Sequence, residues 1–138
     1  MQLMCNAREV KINDFNERNI FDLPLKQFAS TYSTGMKKKL ALLAILLQNN
    51  DIYILDEPFN GIDIQSNILI MEIISQLKEL GKIVILSSHI FSTLNESCDL
   101  LHHLKAGKIY HSVSKNEFNT IEAEIKSDTL HKQISKLQ

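Results

Sequence analysis

With 138 residues the chain is one domain or part of one, long enough to bury about two thirds of the surface its unfolded form exposes. A composition of 44% hydrophobic and 22% charged residues is that of a globular chain and excludes a disordered one. A net charge of -1 gives no drive toward nucleic acid, and two distant cysteines, Cys5 and Cys98, exclude a disulfide framework and fit a reducing, cytosolic setting.

The first residues, Met1 to Asn6, have neither the basic head nor the apolar stretch of a signal peptide. Residues 6–22 are polar and mixed, with a break at Asn13-Asp14, and read as short helices on either side. Leu23-Pro24-Leu25 opens a new segment, because proline pushes its predecessor out of the helical region and suits a first helical turn. Ser33 has the character of a helix N-cap, and the helix is expected over Met36 to Gln48. Its run from Leu40 to Leu47 is apolar on every side, so burial nearly all round is expected. That run is far short of the roughly 20 residues needed to cross a bilayer, so membrane association is expected only through a partner.

Asn49-Asn50-Asp51 is a turn, and Ile52 to Leu55 a short strand. Asp63 is placed to cap a helix that Gly81 ends, with Ile64, Ile68, Met71, Ile74 and Leu77 forming its apolar stripe. Ile83 to Leu86 is a second strand, apolar on both faces, of the kind found in parallel sheets covered by helices on both sides. Strand, helix and strand in that order make a βαβ unit with a right-handed crossover. Leu94 to Asp99 reads as helical. Leu100 to Leu104 and Lys108 to Ser112 flank Ala106-Gly107 as a hairpin. Ser114 caps a last helix with Phe118, Ile121 and Ile125 on one side. Beyond Ser127 the pattern weakens to a short or frayed helix.

Two strands end in polar groups: Asp56 and Glu57 on the first, Ser88 and His89 on the second. In open α/β sheets that rim is where ligands bind. Asp56 suits Mg²⁺, which takes one or two carboxylates, waters and the substrate's phosphates. Glu57 would point elsewhere and could polarise a water for in-line attack on a γ-phosphate, with His89 hydrogen-bonding that phosphate or the water. Alone, each element is compatible with a solvated strand end or an ordinary cap. Their order and spacing are not: Ser33 stands 23 residues before Asp56, and His89 stands 32 after Glu57.

Tyr32-Ser33-Thr34-Gly35-Met36 resembles the signature of the ATP-binding-cassette (ABC) ATPases, whose commonest form is Leu-Ser-Gly-Gly-Gln. Ile52 to Glu57 resembles a Walker B strand with its catalytic glutamate. Asn60-Gly61-Ile62-Asp63 resembles the D-loop, and His89 the switch histidine. The resemblance covers about residues 20–112 and is similar in style to ATPase subunits of bacterial ABC-2-type exporters.

It implies an α/β fold: a partial P-loop NTPase (RecA-like) core with parallel strands, a helical subdomain carrying the signature, and a C-terminal β-hairpin and helix. The expected division is 1–50 for the signature subdomain, 51–113 for the ATPase core and 114–138 for a helical extension. The implied ligands are ATP and Mg²⁺. Asp56 would hold the metal, with Glu57 and His89 catalytic. Ser33, Thr34, Gly35 and Met36 would close over ATP held by a second nucleotide-binding subunit, as a homodimer or heterodimer, with Asp63 coupling the two sites. The other implied partners are membrane-spanning permease subunits, which would place the chain at the cytoplasmic face of the membrane.

The pattern departs from the family in two ways. Thr34 and Met36 stand where Gly and Gln are usual. No Gly-x-x-x-x-Gly-Lys-Ser/Thr occurs, the only glycines being Gly35, Gly61, Gly81 and Gly107. The Q-loop glutamine and adenine-stacking aromatic are also missing. The expectation is therefore a C-terminal portion of such a subunit that does not turn over ATP alone. The alternatives are a module supplying only signature and D-loop in trans, and a fragment of a soluble non-transport ABC ATPase. Lys37-Lys38-Lys39 reads as a solvated helix face, not a nucleic-acid patch. His102, His103, His111 and His131 show no metal-ligand spacing.

Overall fold

The computed structural model describes residues 5–7 and 9–134. They fall into two compact units that divide between Ser88 and His89.

In the first unit, the expected second short helix within residues 6–22 is replaced by turns. Asp14 starts a single turn closed by Glu17 and Arg18 N–H groups on its carbonyl and by an exposed Arg18–Asp14 ion pair. Asn19 then diverts the chain, its amide accepting from Leu23 N–H (3.1 Å) and donating to Leu23 C=O (2.7 Å). An asparagine side chain that satisfies backbone groups this way competes with helix formation. Pro24 opens a turn, and the next regular element is a 3₁₀ turn at Ala29–Thr31.

Helix α1 spans Thr34–Leu46, with Ser33 Oγ accepting the Met36 N–H as the N-cap should. Leu42, Leu43 and Ala44 are buried, and of its residues past Met36 only Lys37 and Ala41 are exposed. Strand β1 (Ile52–Asp56) pairs in parallel with β2 (Ile83–Ser87), in the register Ile52↔Ile83 through Asp56↔Ser87. Helix α2 (Ile64–Glu79) connects them. It starts on Asp63, whose carboxylate accepts Ser66 N–H. It ends on a Schellman motif: Gly81 N–H donates to Lys78 C=O and Lys82 N–H to Leu77 C=O, with Gly81 at φ +73°.

The buried stripe of α2 differs from the expected one. Ser66, Ile70, Ile74 and Leu77 face inward, while Ile64 and Ile68 are exposed. This helix is apolar on most sides, so tertiary packing chooses the face. Ile70, Ile74, Leu42, Leu43, Leu55, Tyr32, Phe21 and Phe59 form the core, with Val84 and Leu86 packed against it.

The expectation of a sheet covered on both faces is not met among the described residues. Ile52, Ile54, Ile83 and Ile85 are more than half exposed, and Ile54 is 74% exposed. With period-two alternation these four share one face, and Asp56 and Ser87 stand on the same side at its carboxyl end.

In the second unit, helix α3 (Phe91–Ser97) precedes β3 (Leu100–Lys105) and β4 (Lys108–Ser114), an antiparallel hairpin. Its two-residue turn, Ala106-Gly107, has φ positive at both positions, as a type I′ turn demands. The register shifts between His103 and Leu104, which makes Tyr110 the extra residue of a bulge. Ser114 and Glu117 form a capping box before helix α4 (Phe118–Ile134), which continues well past Ser127, where the sequence pattern fades. Phe118, Ile121 and Leu101 are the core of this unit, with Phe91 edge-on to Phe118. Among the described residues, no helix is long and apolar enough to cross a membrane.

Candidate functional site

The carboxyl end of β1 carries the two candidate carboxylates, Asp56 and Glu57. Asp56 is its last residue, exposed, and receives a 2.5 Å hydrogen bond from the Ser87 hydroxyl directly across the parallel pair. The same Ser87 oxygen accepts the Glu57 N–H at 3.0 Å. One hydroxyl thus fixes the Asp56 carboxylate and the start of the next peptide together. Glu57 then takes the left-handed conformation, φ +46°, and the chain reverses through a turn closed by Asn60 N–H on Glu57 C=O. The strand's alternation ends there, so two carboxylates adjacent in sequence are set on different backbone geometries.

The signature residues lie at the amino end of α1. Ser33 is the cap, and Thr34, Gly35 and Met36 form the first turn. Ser33 Oγ uses a lone pair on Met36 N–H, which leaves its hydroxyl hydrogen to donate elsewhere. A helix amino end with such a hydroxyl is an anion-binding geometry. Gly35 has a second role: a Cβ there would lie 2.8 Å from the Gly61 carbonyl oxygen, so the first turn packs directly on the D-loop.

Two lysines complete the junction. Lys38 Nζ donates to Asn60 C=O (2.8 Å) and Glu57 C=O (3.2 Å), and Lys39 Nζ to Asp63 Oδ2 (2.6 Å). The Lys39 ammonium, then the Ser66 N–H and hydroxyl, hold the Asp63 carboxyl well below the usual carboxylate range. This corrects the reading of the three-lysine run as a solvated face: of the three, Lys37 is exposed while Lys38 and Lys39 are half-buried. An open depression beside Asp56 is lined by Lys38, Ala41, Ile45, Ile54 and Pro58.

The structure therefore brings Ser33, Thr34, Gly35, Met36, Asp56, Glu57 and Asp63 into one unit, around the joint between α1, the β1 turn and the D-loop. His89 lies at the start of the second unit, exposed, just before α3. Sequence reasoning placed Ser88 at the rim and missed Ser87, although pairing the two expected strands in phase sets residue 87 opposite 56. For Lys38 no sequence signal existed.

Comparison with known proteins identifies the type. Residues 9–95, more than half of the chain, match the family model described as "AAA domain, putative AbiEii toxin, Type IV TA system". The chain belongs to this AAA-type NTPase family. Curated relatives of the chain are named as ABC transporter ATP-binding proteins, in agreement with the motif resemblance. An "Uncharacterized ABC transporter ATP-binding protein MJ1023" of Methanocaldococcus jannaschii is 42% identical over 79 residues, covering 57% of this chain and 30% of the relative. Among solved structures, an ATP-binding subunit of an ABC transporter superposes with TM-score 0.68 at 24% identity, over 84% of this chain and 53% of that one. A dimeric ATP-binding cassette, MJ0796, bound to ADP and phosphate, gives TM-score 0.60 at 18% identity, over 81% and 44%. At these identities the structural likeness establishes the P-loop NTPase fold. The chain thus spans about a third of that curated relative and about half of the solved ones.

Proposed function

We propose that the chain is the signature-, Walker B- and D-loop-bearing portion of an ABC transporter ATP-binding subunit, working where ATP hydrolysis drives transport through membrane-spanning permease subunits. The observation that carries this reading is the joint itself: a capped helix amino end, two adjacent acidic residues on different backbone geometries and a D-loop, fastened together by Lys38, Lys39 and Ser87.

In this reading Ser33 and the first-turn residues Thr34, Gly35 and Met36 grip the γ-phosphate of ATP held by a second nucleotide-binding subunit, identical or different. Asp63 couples the two sites, and Glu57 takes the proton of the attacking water. His89 hydrogen-bonds the γ-phosphate. The donor set suits Mg²⁺. Asp56 is an exposed carboxylate already oriented by one hydroxyl, a hard oxygen donor of the kind Mg²⁺ takes beside water and phosphate oxygens. When bound, Mg²⁺ supplies neutralisation of phosphate charge. Residues 1–50 act as the signature subdomain, 51–113 as part of the ATPase core and 114–138 as an extension, at the cytoplasmic face of the membrane beside the permease.

The 138 residues contain no phosphate-binding Gly-x-x-x-x-Gly-Lys-Ser/Thr, so this chain alone is expected not to turn over Mg-ATP. Phosphate release from the purified chain, measured beside Glu57→Gln, tests this: both should stay at background. Steady turnover that Glu57→Gln abolishes would refute the need for a separate phosphate loop. Binding to a nucleotide-loaded ABC subunit, lost in Ser33→Ala, is the positive result expected of the signature.

A further inference from the structure

We propose that Lys38 is a positioning residue: reaching from the signature helix to two carbonyls of the Glu57 turn, it holds Glu57 in its left-handed conformation and so aims the carboxylate. Calling that aim catalytic rests on the ABC reading; the clamp itself does not.

The geometry is specific. The turn 57–60 presents two carbonyls, Glu57 C=O and Asn60 C=O, and the Lys38 ammonium donates to both. An ammonium has three donors and no acceptor, so one side chain can serve both oxygens. Glu57 needs such support. Its φ of +46° is a conformation that L-residues with a long side chain avoid, and it persists only where the surroundings over-determine it. Among the bonds that hold it, the Glu57 N–H donates to Ser87 Oγ, and the Glu57 C=O accepts from Asn60 N–H and from Lys38 Nζ. The first two bind the turn to β2 and to itself. Lys38 binds it to α1.

The helix end that carries this lysine is also the anion-binding end. Ser33 caps α1 five residues before Lys38, Gly35 touches the Gly61 carbonyl, and Lys39 pairs with Asp63. A one-turn segment of helix is stiff, so a displacement at Ser33 is carried to the Glu57 peptide through the Lys38 side chain. Grip on an anion and direction of the general base are thereby linked within one chain.

The test uses the full chain, isotope-labelled, in four forms: wild type, Lys38→Met, Lys38→Arg and Lys37→Met. In Lys38→Met, the Glu57 Cα and Cβ shifts and its amide–Hα coupling should leave the left-handed range. The Glu57 and Asn60 amides should exchange about tenfold faster, while amides in the middle of α1 and in β2 keep their rates. Lys38→Arg should restore both signals, and Lys37→Met should change neither. Left-handed values retained in Lys38→Met, or a loss of protection spread evenly over the unit, would overturn the proposal. Should Lys38→Met not fold, Lys38→Gln, whose amide can serve one carbonyl, must still move the Glu57 shifts part of the way; unchanged shifts there refute it. Adding Mg-ATP with a complete ABC subunit separately probes the signature. If the amides of residues 33–36 stay unmoved the ABC reading fails, whereas the Lys38 results stand or fall by themselves.

Discussion

Replacing Gly35 by alanine separates two forces of opposite sign. Gly35 is the second residue of α1, and alanine is the better helix former there by about 0.5–1 kcal/mol. Against this, the added methyl would stand 2.8 Å from the Gly61 carbonyl oxygen, a backbone atom that cannot rotate away. Forcing extra volume into a packed contact costs about 1–3 kcal/mol. The net expectation is a loss of up to about 2.5 kcal/mol, or up to roughly 10 °C in melting temperature for a chain of this size. Urea denaturation and amide shifts measure both halves, and the Gly61 and Ile62 amides should move most. Gly81→Ala is the control: nothing lies within 4 Å of its Cβ, but φ is +73°, so it should lose roughly 1–2 kcal/mol through backbone strain and leave the Gly61 amide untouched. A Gly35→Ala chain more stable than wild type, with Gly61 unmoved, would refute the contact between signature and D-loop.

Other outcomes follow from single contacts. Asp63 has a folded pKa depressed from its ordinary 3.8, so its contribution to stability is complete above that value and is lost as pH falls through the lower folded one. Asp63→Asn should therefore be less stable than wild type at neutral pH, and the gap should close in acid denaturation below about pH 4. Phe118 is fully buried, and Phe118→Ala should cost about 3–5 kcal/mol, read as lost amide protection in β3 and β4. Ile54→Lys, on the open sheet face, should change stability by less than about 0.5 kcal/mol while raising the concentration at which the chain stays monomeric in sedimentation. A large stability loss there would mean that the face is covered.

What the sequence disclosed and what it hid divide along physical lines. Local chemistry was readable: Ser33 as cap, Gly81 as terminator, Ala106-Gly107 as a tight turn, and two β-branched runs as a parallel pair all appear where pattern places them. The motif order pointed to the family because it depends on spacing alone. Choices made by tertiary packing were not readable. Helix α2 offers apolar residues on nearly every side, and only the position of the core decides that Ile70 and Ile74 go in while Ile64 and Ile68 stay out. Asn19 looked like an ordinary helix residue because its partner, the Leu23 peptide, is created by the turn itself. Lys38 and Lys39 looked solvated because their acceptors lie about 20 residues away, in a loop that reaches them only after folding.

The backbone at Glu57 carries a consequence for anyone engineering this chain. Asparagine tolerates a positive φ better than glutamate, since its short amide can bond locally. A screen scoring thermal robustness alone would be drawn to Glu57→Asn, and under the proposed function each degree gained at that codon would be taken from the group assigned to accept the proton. Robustness and chemistry compete there for one residue, so a hardened variant should be sought elsewhere in the molecule.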